Sequence, residues 1–151
     1  MPKVIPHLWF QSQADEAMEF YVSVFKGSRV IARTALPEPE VSVVRFELAG
    51  LPVVALNANS RVRYNEAFSF LVETDDQAET DHYWSALTAG GGKERPCGWL
   101  TDKFGVYWQV IPTALVKMEA DPDQERVGRV LHAMQKMTKI IIADLEWAFR
   151  G

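Results

Sequence analysis

The residues of this chain with chemistry to offer are few. They are three histidines, one cysteine and an amide, Gln109, set in the middle of an apolar alternating run. That run, CGWLTDKFGVYWQVIP at positions 97–112, reads as a hairpin: a strand through Trp99 and Leu100, a turn at Lys103-Phe104-Gly105, and a second strand from Val106 to Ile111. Alternation puts Tyr107, Gln109 and Ile111 on one face and Val106, Trp108 and Val110 on the other. Both faces are bulky, so one packs on core while the other either packs too or lines a cavity. An amide in such a place needs hydrogen-bond partners, as a binding group or as a structural one. His7 sits in the strand-like run Val4–Phe10. Imidazole is the side chain whose ordinary titration falls at about pH 6.5, which suits general acid–base work; the alternative is a histidine satisfied inside a strand. His82 and His132 fall within helical patterns. Cys97 is a nucleophile only if the fold brings a base such as His7 close, and Ser69 is a weaker candidate for that role.

These residues need elements to hold them. After the first strand, Ser12-Gln13-Ala14-Asp15 predicts a helix start with a hydroxyl cap and an acidic residue three later. Ala17, Met18, Tyr21, Val24 and Phe25 then trace an amphipathic stripe that Gly27 ends. Three strands follow, Arg29–Ala35, Val41–Ala49 and Leu51–Asn57, the last two joined tightly at Ala49-Gly50. The second half repeats the order: a strand over Ala67–Glu73, a helix capped by Asp75 or Asp76 with Tyr83, Trp84 and Leu87 on its apolar side, a stop at Gly90-Gly91-Gly92, a short segment at Lys93–Pro96, and the hairpin. Phe20–Val24 with Gly27 aligns on Tyr83–Leu87 with Gly90 at a constant spacing of 63 residues. Two β-α-β-β-β units in tandem result. In the tail, Asp121-Pro122-Asp123 predicts a helix with proline in its first turn. Val127, Val130, Leu131, Met134 and Met137 form its stripe, and Leu145, Ala148 and Phe149 mark a last short helix, packed on its own subunit or on a partner's.

Composition narrows the function classes. At 151 residues and 48% hydrophobic, the chain can build a real core. A net charge of −4 and no basic stretch argue against a nucleic-acid partner. No apolar run approaches the roughly 20 residues that span a bilayer, and the N-terminus carries no secretion signal, so no membrane partner is expected. One cysteine permits no internal disulfide, which fits a reducing, cytoplasmic setting.

With the tandem order in place, the segments IPHLWFQSQADEAMEFYVSVF, YNEAFSFLVETDD, CGWLTDKFGVYWQVIP and DPDQERVGRVLHAMQKMTKIIIADLEWAF together resemble the vicinal oxygen chelate superfamily. That superfamily includes glyoxalase I, extradiol dioxygenases, fosfomycin-resistance enzymes and bleomycin-binding proteins. More narrowly the chain resembles its PhnB-like branch, often labelled 3-demethylubiquinone 3-methyltransferase. The resemblance implies an α+β fold in a single glyoxalase-like domain, its modules at about 1–59 and 64–112 forming a curled mixed sheet around a cavity, with 113–151 as a helical C-terminal extension. It also implies a homodimer.

Metal-dependent members hold a divalent cation with inward residues of first and last strands. By resemblance, His7 falls where the first histidine ligand sits, Asn65 where the second unit usually supplies histidine, and Gln109 where the last strand usually supplies glutamate. A fourth position would be near Leu56 or Asn57. Transition metals favour imidazole, thiolate or carboxylate, and of the three matched positions only His7 qualifies. The expectation is therefore no resident cofactor. A weakly held divalent metal would use His7 with Glu66, one residue along, or with Gln109. The inward positions would include His7, Trp9, Gln11, Asn65, Ala67, Ser69, Tyr107 and Gln109, an aromatic-walled pocket in which Trp9 and Tyr107 could stack on a small organic ligand. A methyltransferase using S-adenosylmethionine needs a glycine-rich turn that opens a helix, whereas Gly90–Gly92 follows one, so that label is not supported. The expected function is small-molecule binding at a degenerate, metal-poor site. The alternative is a metal-dependent lyase, isomerase or dioxygenase, or acid–base catalysis by His7.

Overall fold

The computed structural model describes residues 3–59 and 61–151, and the chain divides into two compact units, Met1–Arg63 and Tyr64–Gly151. The fold is α+β, and the described residues form two four-stranded mixed sheets and five helices.

In the first unit, β1 (His7–Phe10), α1 (Ala14–Val24), β2 (Arg29–Ala35), β3 (Ser42–Leu48) and β4 (Leu51–Asn57) form a sheet of order β1-β4-β3-β2. Only β1 and β4 run parallel. β1 starts at His7, three residues later than the apolar run predicts, because Pro6 has no N–H for the ladder and contributes only its carbonyl, to Val54 N at 3.0 Å. The face toward α1 carries Leu8, Phe10, Val44, Phe46, Val53 and Ala55, all buried against Ala17, Met18 and Tyr21. Each large side chain buried there stabilises the unit by roughly 1.5–3 kcal/mol. Ser12 does not cap α1. The N-cap residue is Gln13, without a side-chain cap, and Ala14 N donates instead to Asn57 Oδ1 at 2.7 Å. Asn57 also donates to Ser42 Oγ at 3.1 Å, so the last residue of β4 ties the helix start to the sheet. The β3–β4 turn is made by Ala49 and Gly50 at φ 48° and 88°, the left-handed pair a two-residue hairpin requires.

The second unit repeats this plan: β5 (Phe70–Thr74), α2 (Gln77–Thr88), β6 (Lys93–Glu94), β7 (Trp99–Thr101) and β8 (Tyr107–Pro112), in the order β5-β8-β7-β6 with β5 and β8 parallel. β5 begins at Phe70 rather than Ala67, because Asn65 Oδ1 accepts from Ala67 N at 2.9 Å and holds a turn there. Asp76 caps α2, accepting from Glu79 N at 2.8 Å. Phe70, Leu100, Trp108 and Val110 are buried with Trp84 and Leu87 of α2. The hairpin turn is organised by Asp102, 3% exposed, whose carboxylate accepts from Phe104 N, Val106 N and Trp108 Nε1 at 2.8, 3.1 and 2.9 Å.

The tail forms α3 (Thr113–Glu119), α4 (Gln124–Met134) and α5 (Ile142–Arg150). Pro122 lies just before α4 rather than in its first turn, since Asp123 is the cap and accepts from Glu125 N and Arg126 N. The tail packs on its own unit: Leu115, Val130, Ile140 and Leu145 share a buried cluster with Ile111 of β8. Gln77 clamps the segment before α5, donating to the Ile140 carbonyl at 3.1 Å and accepting from Ile142 N at 2.8 Å. No helix among the described residues is long and apolar enough to cross a membrane.

Candidate functional site

Strand register assembles the site in the second unit. Trp99 lies opposite Gln109, Gln109 beside Leu71, and Thr101 opposite Tyr107, so Leu71, Trp99, Gln109 and Tyr107 share the face of the sheet turned away from α2. The alternation expected of the second hairpin strand is the one observed. One end of this face is closed, because Ile111 is buried under the tail. Toward the middle, Gln109 is half-buried and its Nε2 donates to Ser69 Oγ at 3.0 Å. That bond gives the amide a protein partner and joins two of the residues singled out from sequence.

At the other end is a cleft of about 170 Å³ lined by Glu66, Arg95, Pro96, Trp99 and Tyr107. Arg95 Nη2 donates to the Tyr107 hydroxyl at 3.0 Å, and its guanidinium carbon lies 4.7 Å from the Tyr107 ring centroid. Arg95 Nε is buried and donates to no acceptor. Arg95 is held by backbone: its N–H donates to Trp99 O at 2.9 Å, across the turn at Pro96-Cys97-Gly98. Sequence reasoning missed Arg95 and Trp99 as site residues. The signal was there for Trp99, which alternation places across from Gln109 once the hairpin register is known. Arg95 carried none, standing in the mixed-charge run Lys93-Glu94-Arg95 before Pro96.

The remaining candidates lie elsewhere. His7 and Trp9 are on the exposed face of β1 in the first unit, with Leu56 on the same face, and Trp9 Nε1 donates to Ala58 O at 3.1 Å. Asn57 points to the opposite face, toward α1. Asn65 is exposed in its turn rather than on a strand, its oxygen engaged by Ala67 N. Cys97 takes a left-handed conformation, φ 62°, and its N–H bonds Met137 O at 2.9 Å. The donor set does not fit a tightly held dication. Of the matched positions, Gln109 is bonded to Ser69, Asn65 is spent on a turn, and neutral amides bring no charge to a divalent ion. Among the described residues no group of three His, Cys, Asp or Glu side chains could hold a metal ion.

Comparison with known proteins agrees with this architecture. The profile of the family described as 3-demethylubiquinone-9 3-methyltransferase matches residues 2–111. The PhnB protein from Bacillus cereus is 26% identical over 74% of this chain and 99% of its own, with a TM-score of 0.65. The fold is also that of the fosfomycin resistance protein FosX from Mesorhizobium loti, 15% identical over 85% of this chain and all of that one at a TM-score of 0.53 (the covered share of FosX is 100%). FosX from Listeria monocytogenes, solved with Mn(II) and a sulfate ion, matches 73% of this chain and 92% of its own at 16% identity and a TM-score of 0.53. No curated protein matches the chain in sequence. The profile match spans strands, helices and hairpin of both repeated units and stops at β8, before the tail: the chain belongs to the PhnB-like, 3-demethylubiquinone-9 3-methyltransferase family of the vicinal oxygen chelate superfamily.

Proposed function

We propose that this protein binds a small organic molecule on the open face of its second sheet, at a site that works without a resident metal. The observation that carries this reading is the cleft walled by Trp99 and Tyr107, with Arg95 inside it and the Gln109–Ser69 pair on the same sheet face. Two aromatic walls and a few placed polar groups are the usual make-up of a small-molecule pocket. Methyl transfer is not part of this reading. Gly90 and Gly91, at φ 71° and 117°, close α2 and lead into β6; they do not open a helix onto a cofactor. The Mn(II) carried by FosX suggests the competing reading, metal-assisted chemistry, and the donor set described above weighs against it.

The test is chemical-shift mapping of a library of small planar molecules on isotope-labelled protein, with metal content measured in parallel. Hits are expected to perturb Trp99, Tyr107 and Gln109, and Trp99→Ala is expected to abolish them. Hits that bypass these residues overturn the proposal. So does one equivalent of transition metal that survives dialysis and is lost in His7→Ala.

A further inference from the structure

Among the described residues Arg95 forms no ion pair. It is half-buried, and its one side-chain hydrogen bond goes to a neutral phenol. Its Nε–H is buried and unused. Glu66 lines the same cleft, yet no ion pair closes between them. A guanidinium taken partly out of water without an ionic partner is costly, and an anion in the cleft, meeting its terminal N–H groups, offsets that cost. Its planar array of N–H donors suits the two oxygens of a carboxylate. The neighbours narrow the class further. Trp99 and Tyr107 offer flat apolar walls, and about 170 Å³ is the share of liquid taken by only a handful of waters, at roughly 30 Å³ each. The negative charge of Glu66 in the same cleft disfavours a doubly charged group such as a phosphate or phosphonate.

We infer that the ligand is a small planar monocarboxylate, its acid group on Arg95 and its body between Trp99 and Tyr107. This rests on the cleft being the small-molecule site. Arg95 then works as a selectivity residue, choosing the charge of the ligand, while the aromatics hold whatever is flat.

Titration with benzoate, its neutral isostere benzamide and the dianion phenylphosphonate separates these roles, using calorimetry and the shifts of Trp99 and Tyr107. Wild type is expected to bind benzoate about tenfold or more tighter than benzamide, with phenylphosphonate weaker than benzoate. Arg95→Gln should bring benzoate and benzamide to near parity, chiefly by weakening benzoate, and Arg95→Lys should keep part of the preference. Benzamide binding as tightly as benzoate at Trp99 and Tyr107 overturns the charge inference and leaves the small-molecule reading standing. Phenylphosphonate binding tighter than benzoate overturns the monoanion. If no probe perturbs Trp99 or Tyr107, the reading and the inference fall together. The wild-type comparison needs no variant to fold.

Discussion

The two units share one plan and differ in what they do with its faces. Ala17 and Thr80, and Tyr21 and Trp84, stand 63 residues apart, and all four are buried between helix and sheet. At the same spacing Met18 is fully buried in α1, whereas its counterpart Asp81 of α2 is half-exposed and paired with Lys139 Nζ at 2.6 Å. The first unit fills that corner with apolar volume; the second uses it to hold the tail. The sheets differ likewise on the side away from their helices. In the first, His7 and Trp9 stay exposed, and in the second, Ile111 is covered while Tyr107 and Trp99 flank a cleft. A repeated fold keeps its helix–sheet core, where packing tolerates little change, and diverges on the other face, where residues are free to acquire binding roles.

The largest test of this comparison is in the cores. Phe46→Ala in the first unit and Trp108→Ala in the second should each cost about 3–5 kcal/mol in urea unfolding. Trp108→Ala should be the greater, because it also strips Asp102 Oδ2 of its indole donor. Equal costs would mean that the buried carboxylate adds nothing to the second core. The helix starts come next. Asn57→Ala removes a cap that reaches α1 from β4, and Asp76→Ala one that belongs to α2 itself. Each should cost about 0.5–2 kcal/mol. The Asn57 variant should lose more, since Ser42 loses its partner as well; thermal melts followed by circular dichroism would rank them. The smallest effect is at Asp81. The hydrogen bond from Lys139, then that from Gln77, holds its carboxyl below the usual carboxylate range. A carboxyl lowered in the folded state contributes stability above its unfolded value, and that contribution is lost as pH falls through the folded one. The protection factor of the Ile142 amide, its exchange corrected for the intrinsic pH dependence, should therefore fall below about pH 4 in wild type, by the modest amount an exposed pair allows. Asp81→Asn should flatten that dependence, and a variant that keeps it would shift the pH response to another group.

Much of this architecture is legible in the chain. Alternation in Val106–Ile111 and helical spacing in Ala17–Phe25 and Tyr83–Leu87 report which side meets the core, and the faces they give are those observed. What is not legible depends on partners distant in sequence. Asn57 caps a helix that begins 43 residues earlier, so a local hydroxyl, Ser12, looked like the better cap. Asn65 reads as a strand residue beside the apolar run, although a short side chain two residues before a free N–H favours a turn. Arg95 was not legible because its setting is spatial: only the fold brings its guanidinium to the Tyr107 hydroxyl and into one cleft with Glu66 and Trp99. Gln109 and Ser69, 40 residues apart, are joined only once β5 is laid beside β8.

The turn between Arg95 and Trp99 has a consequence of its own. Cys97 and Gly98 donate their N–H groups to Met137 and Thr138 at 2.9 and 2.7 Å, in the segment just before α5. Gly98 also lies at φ 78°, where an added Cβ would stand 3.0 Å from the Val110 carbonyl. The loop that carries two walls of the cleft is thus laced to a stretch of chain beyond the end of the family match. If a ligand in the cleft steadies this loop and with it the tail, linkage requires that a firmly attached tail favour the ligand by the same free energy. The cleft's lining lies inside the stretch that the family profile matches, while the segment that ties down its Pro96–Trp99 side lies outside it.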